Sequence, residues 1–390
     1  MSDNRYAQRA DVVVVGAGPA GAMAALSLVP KGLTVLVIEK ASLPRYKACG
    51  GGVVPRAARL IPSSVTVPWE RQFLGAEMVL HDLNLRFVAR GGAPLAATVM
   101  RASFDHALIQ TAETQGARVW SSCKVRGVHH RGTYVEVETD RGYVRAGFVI
   151  AADGATGTTA RAAGWGTPVY SIPALSWEVE VDEATLERHS RSLRFDLGFI
   201  PDGYAWVFPK RRHLSVGLLR VRRGAAPLKE HLRRYLSVLG VSEPRKIEPH
   251  GFVIPQRPHD DPLVRGRVLL AGDAAGLTDP LVCEGLSHAL QSGAFAARAI
   301  LEGGFDPWRV EFSYESQMRP AILSELVYAR FAARMLYRMP RARAWLFEHC
   351  GQTICDVVAD LFTGQRTYRS LFLSPHAYVR LLTTKRPPAR

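Results

Sequence analysis

The chain has 390 residues, of which 47% are hydrophobic and 22% are charged, a balance that excludes disorder, collagen-like repeats and a disulfide-rich miniprotein. The formal net charge is +15, and +8 of it lies in residues 319–390, which hold 12 basic and 4 acidic residues. The excess indicates an anionic partner or the Arg-rich usage of a GC-rich genome, and because no nucleic-acid-binding motif accompanies it we expect no nucleic-acid partner.

The first forty residues predict a strand, a glycine-rich turn, a helix and a second strand. The strands fall at 11–15 and 33–38, and an Ala-rich helix reaches to about 29. In the GxGxxG turn, one glycine permits the sharp bend, one admits a pyrophosphate and one lets helix and strand pack closely. An acid at the end of the second strand can accept hydrogen bonds from a ribose. The dinucleotide-binding residues predicted here are Gly16, Gly18, Ala20, Gly21, Glu39 and Lys40.

Two later motifs distinguish FAD from NAD. An apolar strand over 148–151 leads into an Asp-Gly pair, and a strand over 267–270 leads into a Gly-Asp pair and a helix over about 285–301. An acid at such a strand end can bind a ribityl chain, and the helix start can direct its positive dipole end at the flavin. An arginine that opens another predicted helix can meet the flavin or its phosphates. The cofactor residues predicted in these segments are Arg101, Val125, Asp153, Gly154, Gly272, Asp273, Pro280, Gly285 and Leu286.

This ordered set of motifs resembles the FAD-binding fold of the p-hydroxybenzoate hydroxylase type. The resemblance implies FAD as the cofactor and an α/β fold: a Rossmann-like FAD-binding domain, an inserted antiparallel β-sheet domain for the substrate and a C-terminal helical lobe. We expect the FAD-binding domain to be discontinuous, over 1–75, 97–165 and 255–305. The substrate domain is expected over 76–96 with 166–254, and the helical tail over 306–390.

A glycine loop follows the second predicted strand. It runs over 44–52 and ends in three consecutive glycines, a backbone that can lie against a flat ring or an isoprenoid chain. Cys49 precedes these glycines, and we interpret it as a proton donor or as a packing thiol. Cys49, Gly50 and Gly51 are therefore predicted to contact the cofactor.

An aromatic strand predicts the substrate contacts. Tyr204, Trp206 and Phe208 alternate and would line one face of the strand as an apolar wall, although an ordinary sheet core gives the same pattern. Pro209 ends the strand and is included among the predicted substrate-binding residues. A basic turn from Lys210 to His213 follows.

The cysteine loop and the aromatic strand together resemble the geranylgeranyl reductase family, nearly from end to end. Of the family's glycine pair after the strand, Gly217 is present and Leu219 replaces the second glycine. Residues 361–365 are similar to the family's C-terminal helix ending. The resemblance implies reduction of an isolated alkene in a prenyl lipid or quinone side chain, with hydride from reduced FAD and a proton to the other carbon. It also implies that Cys49 is the catalytic residue tuned to that step.

The electron donor and two other activities stay open at this point. No second complete GxGxxG unit is present, so NAD(P)H would bind transiently or a small redox protein would supply the electrons. A monooxygenase or halogenase uses the same fold, and 204–209 is distantly similar to the halogenase segment Trp-x-Trp-x-Ile-Pro. A flavoprotein maturase that oxidises side chains of a partner protein is the third possibility.

The tail predicts three helices, over 321–338, 353–362 and 367–372, with an Arg-rich end. In the first of them, arginines 330, 334 and 338 fall beside apolar residues, so their stems are expected to lie over apolar surface with the charged heads outward. The resemblance implies that this lobe helps to close a substrate tunnel. A packed helix with a basic edge is the alternative to a lipid-binding face.

The cysteines and the apolar segments predict the cellular setting. The five cysteines are odd in number and lack metal-ligand spacing, so no metal site is predicted and a reducing compartment is favoured. No uncharged stretch reaches the ~18 apolar residues of a membrane span. The sequence therefore predicts a cytoplasmic protein, with any membrane contact peripheral and on the inner face.

Overall fold

A computed structural model describes residues 8–166, 170–222, 227–257 and 261–373. The strands are β1 (Gln8–Val15), β2 (Val35–Ile38), β3 (Gly52–Val53), β4 (Trp69–Phe73), β5 (Gly75–Leu80), β6 (Leu85–Arg90), β7 (Ala96–Val99), β8 (Arg118–Trp120), β9 (Val125–His130), β10 (Val135–Thr139), β11 (Gly142–Ala151), β12 (Tyr170–Glu180), β13 (Leu193–Leu197), β14 (Gly203–Pro209), β15 (His213–Arg220), β16 (Lys246–Gln256), β17 (Val264–Arg265) and β18 (Val268–Leu270). The helices are α1 (Pro19–Leu28), α2 (Pro55–Ala58), α3 (Arg101–Thr114), α4 (Thr159–Ala162), α5 (Glu183–His189), α6 (Leu228–Val238), α7 (Leu286–Glu302), α8 (Pro307–Met318), α9 (Ser324–Arg338), α10 (Pro340–Thr363) and α11 (Tyr368–Leu373).

The first sheet confirms the predicted strand–turn–helix–strand unit. Its parallel strands run in the order β18-β11-β1-β2-β8, and β9, β10 and β17 join them antiparallel. The Val- and Ile-rich strands β1 and β2 are buried over most of their length, as expected for parallel strands covered by helices. Helix α1 approaches α7 so closely that a Cβ on Gly293 would lie 2.1 Å from the carbonyl oxygen of Ala20.

The second sheet has the order β16-β12-β15-β14-β13-β5-β6. Its strands pair antiparallel, as predicted, except that β13 and β5 run parallel. This exception is possible because more than a hundred residues separate the two strands in the sequence, among them β8 to β11 of the first sheet, whereas a hairpin would force them antiparallel. A small third sheet, β3-β7-β4, lies between the glycine loop and the start of α3.

The C-terminal lobe consists of α8 to α11 and is more helical than the sequence predicts. A π-helical turn over Arg319–Leu323 joins α8 and α9, so the helix predicted from residue 321 continues a run that begins at Pro307. Helix α10 begins at Pro340 rather than at Thr353. Gly351 lowers the intrinsic helix propensity of this segment. Packing requires a glycine at this position, because a Cβ on Gly351 would lie 2.1 Å from the Phe87 ring of β6. The Arg-rich end beyond residue 373 lies outside the described residues.

Among the residues that the structure describes, no helix combines the length and the apolar character that a membrane crossing requires.

Candidate active site

A cavity of about 940 Å³ lies between the two large sheets. Ligand sites in proteins commonly measure about 300–1,000 Å³, so this cavity is large enough for an extended ligand. Its first end lies at the carboxyl ends of β1, β2 and β11, the edge at which open α/β sheets bind their ligands. Its other end is lined by the second sheet and by the glycine loop over 44–52.

The turn after β1 is built in a way that only glycine allows. Gly16 has a φ of +103°, and a Cβ there would lie 2.4 Å from the carbonyl oxygen of Ala152. A Cβ on Gly21 would lie 1.9 Å from the carbonyl oxygen of Gly16, so this glycine lets α1 pack against the turn. Gly18 caps α1, whose first N–H groups are free to meet an anion. The cradle therefore fits a pyrophosphate.

Two carboxylates line the nucleotide end of the cavity. Glu39 is buried and accepts hydrogen bonds from the backbone N–H groups of Ala17 and Ala41, each at 3.0 Å. Asp153 accepts from the N–H of Thr159 at 2.9 Å through Oδ2, while its buried Oδ1 has no hydrogen-bond partner in the described parts of the chain. A buried acceptor of this kind requires a donor, and a ligand hydroxyl in the cavity would provide one.

The late Gly-Asp motif forms a short 3₁₀ turn over Gly272–Ala275. Gly272 has a φ of +60° and donates its N–H to Ser292 Oγ at 2.9 Å, which fixes the turn against α7. Asp273 lines the cavity, and Gly285 caps the start of α7 beside it. The positive end of the α7 dipole therefore lies at the cavity.

Most of the predicted cofactor residues meet at this cavity. Those that line it are Gly16, Gly18, Ala20, Glu39, Lys40, Cys49, Gly50, Gly51, Arg101, Val125, Asp153, Gly154, Asp273, Gly285 and Leu286. Gly21, Gly272 and Pro280 are not in its wall: the two glycines shape the backbone behind it, and Pro280 is buried in the loop before α7.

An ion network beside the cavity joins the predicted residues Arg101 and Glu39 to two residues that the sequence analysis did not single out, Arg45 and Asp105. Arg101 donates to Asp105 from Nε and Nη2 at 2.8 and 3.1 Å, and Arg45 bridges Asp105 and Glu39 at 3.1 and 3.3 Å. Burial opposes the charge of Arg101, but Asp105 and then Cys49 raise the pKa of its guanidinium above the ordinary value. The i, i+4 spacing of Arg101 and Asp105 on α3 was the available sequence signal.

The aromatic wall and the glycine loop face each other directly. Tyr204, Trp206 and Phe208 all line the cavity, and a Cβ on Gly50 would lie 2.7 Å from the Phe208 ring. The loop glycines therefore lie against the wall. Pro209 is on the opposite face of β14 and outside the cavity wall, where its carbonyl accepts a hydrogen bond from Thr98 Oγ1 at 3.0 Å.

Other apolar residues complete this end of the cavity. Phe195 of β13 meets Phe208 edge to face with ring centroids 5.3 Å apart, and Phe362 of α10 lies 6.0 Å from Phe195. The sequence analysis missed these contacts because they join strands and a helix that are distant in the chain. The remaining large apolar residues of the wall are Leu193, Leu219, Phe252, Val253, Ile254 and Val282.

Lys210 begins the basic turn that the sequence predicted, but its side chain is buried. It is 1% exposed, and its Nζ donates to the carbonyl oxygens of Gly50 and Val99 at 2.7 and 2.9 Å. Burial lowers the pKa of Lys210 to about 8. The physical reason is that β14 ends beneath the glycine loop, so the first side chain of the turn points inward.

Comparison with known proteins agrees with this geometry. Residues 9–303 match the model of the FAD binding domain family. Over 316 residues the chain is 32% identical to digeranylgeranylglycerophospholipid reductase 1 of Methanopyrus kandleri, covering 75% of this chain and 80% of that one. Over 319 residues it is 30% identical to the menaquinone reductase of Mycobacterium tuberculosis H37Rv, covering 75% and 76% of the two chains. The chain therefore belongs to the FAD-binding family of geranylgeranyl reductase-like oxidoreductases, and its cofactor is FAD.

Solved structures share the fold over nearly the whole chain. A geranylgeranyl bacteriochlorophyll reductase-like protein from Thermoplasma acidophilum superposes with a TM-score of 0.74 at 23% identity, covering 97% of this chain and 96% of that one. The halogenase PltM superposes with a TM-score of 0.72 at 18% identity, covering 95% and 85%. These two likenesses establish the fold, and the choice between reduction and halogenation depends on the site.

Proposed function

We propose that this FAD-dependent oxidoreductase saturates C=C bonds in the prenyl chain of a membrane lipid or of a quinone. The observation that carries the proposal is the apolar end of the cavity, where three aromatic side chains of β14 face the Cys49 loop. The names of the two relatives, a digeranylgeranylglycerophospholipid reductase and a menaquinone reductase, support the same substrate class.

The residues of this chain have three tasks in such a reaction. Bound FAD, once reduced, supplies the hydride. Since an isolated alkene has no carbonyl group to stabilise charge, the wall of Tyr204, Trp206 and Phe208 must hold the chain in one orientation and exclude water. Cys49, which lines the cavity next to this wall, is assigned the proton that the second carbon receives.

An anaerobic reaction with a prenyl lipid tests the proposal. The flavoprotein is reduced chemically and mixed with a geranylgeranyl-chain phospholipid, and flavin re-oxidation is followed by absorbance. The fully saturated lipid with the same head group is the control. We expect re-oxidation with the unsaturated lipid alone. No anaerobic re-oxidation, followed by a hydroxylated or halogenated product once air and halide are admitted, would replace the proposal by the oxygenase activity of the same fold.

For the electron donor, we propose transient docking at the cavity mouth rather than a second nucleotide site. The sequence holds a single complete GxGxxG unit, which the FAD cradle uses. Steady-state turnover with NADH, NADPH and a reduced ferredoxin-type protein, each as sole donor, distinguishes a nicotinamide from a protein donor.

We also propose that the helical lobe contacts an anionic lipid surface. Large apolar side chains are exposed along α8 and α9: Trp308 and Phe312 are each 78% exposed, and Val327 and Phe331 follow at the same four-residue spacing. Exposed Arg334 and Arg338 continue this row. Aromatic and arginine side chains on one helical face suit a head-group layer, because the rings enter the apolar boundary and the guanidinium groups meet phosphates.

Sedimentation with liposomes tests this contact. The protein should pellet with phosphatidylglycerol vesicles at low salt, and Phe331→Ser should weaken binding roughly fivefold. Val238→Ser, which removes a similarly exposed apolar residue from α6 of the second sheet domain, is the matched control and should bind like the unaltered protein. Equal binding to neutral vesicles, or none to anionic ones, would contradict the contact.

A further inference from the structure

The burial of Lys210 needs an explanation that the proposed reaction does not yet give. An ammonium group removed from water is costly unless hydrogen bonds or opposite charges replace its hydration. Lys210 has no salt bridge within 4.0 Å among the described residues, and its two hydrogen-bond acceptors are neutral carbonyls. A methionine would fill this space more cheaply, so the position of the charge calls for a functional reason.

The first reason is geometric. Lys210 joins the carbonyl of Gly50, one residue after Cys49, to the carbonyl of Val99 at the end of β7. Gly51 passes so close that a Cβ there would lie 2.1 Å from the Val99 oxygen and 2.6 Å from Lys210 Nζ. The loop that carries Cys49 is therefore fixed at the side opposite the aromatic wall.

The second reason is electrostatic. The Cys49 sulfur accepts a hydrogen bond from the Gly51 N–H at 3.3 Å. Lys210 Nζ lies beside the same residue, 2.6 Å from the position of a Cβ on Gly51, and Arg101 lines the cavity together with Cys49. Negative charge on Cys49 favours the charged forms of both Arg101 and Lys210. Two buried cations therefore lie close to the loop that carries the thiol.

The remaining ionisable groups near Lys210 and Cys49 lie on the second sheet, in the glycine loop and on β4 of the third sheet. Tyr46 donates to Glu178 Oε1 at 3.0 Å, and His213 Nε2 lies 3.0 Å from Glu178 Oε2. Glu178 and, more weakly, Glu70 favour the charged form of Lys210, whereas Arg101 opposes it. The Glu178 carboxylate is held by its own tyrosine and histidine partners and forms no salt bridge with Lys210 among the described residues.

We propose that Lys210 is a positioning residue for Cys49: it fixes the cysteine loop through two carbonyls and, together with Arg101, directs positive charge at the sulfur. This inference rests on the proposed function. When the alkene takes up its proton, the S–H bond of Cys49 breaks, a C–H bond forms and the sulfur keeps the electron pair. The two cations stabilise the charge that develops on the sulfur, a preorganised arrangement that needs no reorientation during the reaction. Water at the cavity mouth returns the proton to the thiolate between turnovers.

Two substitutions separate the charge of Lys210 from its support of the loop. Lys210→Gln removes the charge and keeps N–H donors for the two carbonyls, whereas Lys210→Arg keeps a charge. The readout is the rate at which iodoacetamide alkylates Cys49 in the FAD-loaded protein at neutral pH, with the modified peptide identified by mass spectrometry. We expect Lys210→Gln to slow this rate about tenfold, because alkylation requires an anionic sulfur and Lys210 places a positive charge beside the loop that carries it. Lys210→Arg should restore most of the rate.

Controls keep the two possible failures apart. Lys246→Met removes an exposed lysine of β16 that pairs with Glu248 and should leave Cys49 alkylation unchanged. Thermal midpoints and bound flavin show which variants are folded, and if Lys210→Gln is not folded, Lys210→Met is measured in its place. Equal alkylation rates in the unaltered protein and in the charge-free variant would overturn the role of Lys210. Alkylation can slow as expected while neither the variants nor the unaltered protein reduces a prenyl lipid. In that case the proposed function fails, and the positioning of the thiol by Lys210 stands.

Discussion

The two ends of the cavity are built from different chemistry. The nucleotide end is mostly backbone, with the carboxylates of Glu39 and Asp153 beside it: a φ of +103° at Gly16, the first N–H groups of α1, and glycines that admit no Cβ. The substrate end is side chains, with aromatic rings of β13, β14 and α10 meeting the Cys49 loop. A backbone cradle tolerates almost no substitution and holds one cofactor, whereas a wall of side chains can change its shape one residue at a time. This difference indicates where the fold is fixed and where specificity is set.

The largest effect is expected at the backbone end. Gly16→Ala forces a Cβ to within 2.4 Å of the Ala152 oxygen in a left-handed conformation, so it should abolish FAD retention and cost about 3 kcal/mol or more of stability. Gly32→Ala is the matched control, because Gly32 also has a positive φ of +80° but has no atom within 4 Å of its Cβ position. Flavin absorbance of the purified protein and urea unfolding measure both. Bound FAD in Gly16→Ala would refute a cradle fixed by backbone sterics.

Cys49→Ser should act on the reaction and leave the cradle intact. A hydroxyl is a far weaker acid than a thiol, so prenyl reduction should fall at least about a hundredfold, while FAD binding stays unchanged. Single-turnover rates with the reduced flavoprotein check this, and Cys123→Ser, which alters a buried cysteine on the nucleotide side, is the comparison. Full activity in Cys49→Ser would leave Cys49 only a packing role.

The extent to which each end could be predicted from the sequence follows from the same contrast. Gly16, Gly21 and Glu39 lie within a short segment whose spacing alone defines the turn, and the Gly-Asp motif at 272 is equally local. Phe362 reaches the wall from α10, more than 150 residues after Trp206 in the chain, and no local pattern announces that contact. The burial of Lys210 could not be predicted, because the sequence does not show that the glycine loop covers the end of β14.

The buried charge of Lys210 predicts a pH dependence of stability. Its pKa falls from 10.5 to about 8 on folding, so between these values the unfolded chain binds more protons than the folded one. Stability relative to Lys210→Met should therefore rise with pH across that window, by roughly 3 kcal/mol. Urea unfolding at both ends of the window measures it, with Lys246→Met as the exposed control. A difference that is flat, or that falls, would show that Lys210 is not buried as a charged group at neutral pH.

The smallest effect is expected at the wall itself. Leu219 lines the cavity where the family pattern has a glycine, so Leu219→Ala should favour longer or bulkier prenyl chains by about tenfold in relative kcat/KM. Leu218→Ala removes an equally buried side chain from the other face of β15, where it packs in a separate apolar cluster. Both variants should lose similar stability, and only Leu219→Ala should change the chain-length preference. An identical preference in the two would show that Leu219 does not limit the site.

The central claim is tested most directly by the mass of a prenyl lipid after anaerobic incubation with the reduced FAD-loaded protein. Reduction predicts a product heavier by two hydrogen atoms for each alkene, with no oxygen or halogen gained, and with deuterium in the new C–H bonds when the reaction is run in D2O. A lipid recovered unchanged, or a product that carries oxygen or halogen once air and halide are admitted, would contradict the assignment of this cavity to alkene reduction.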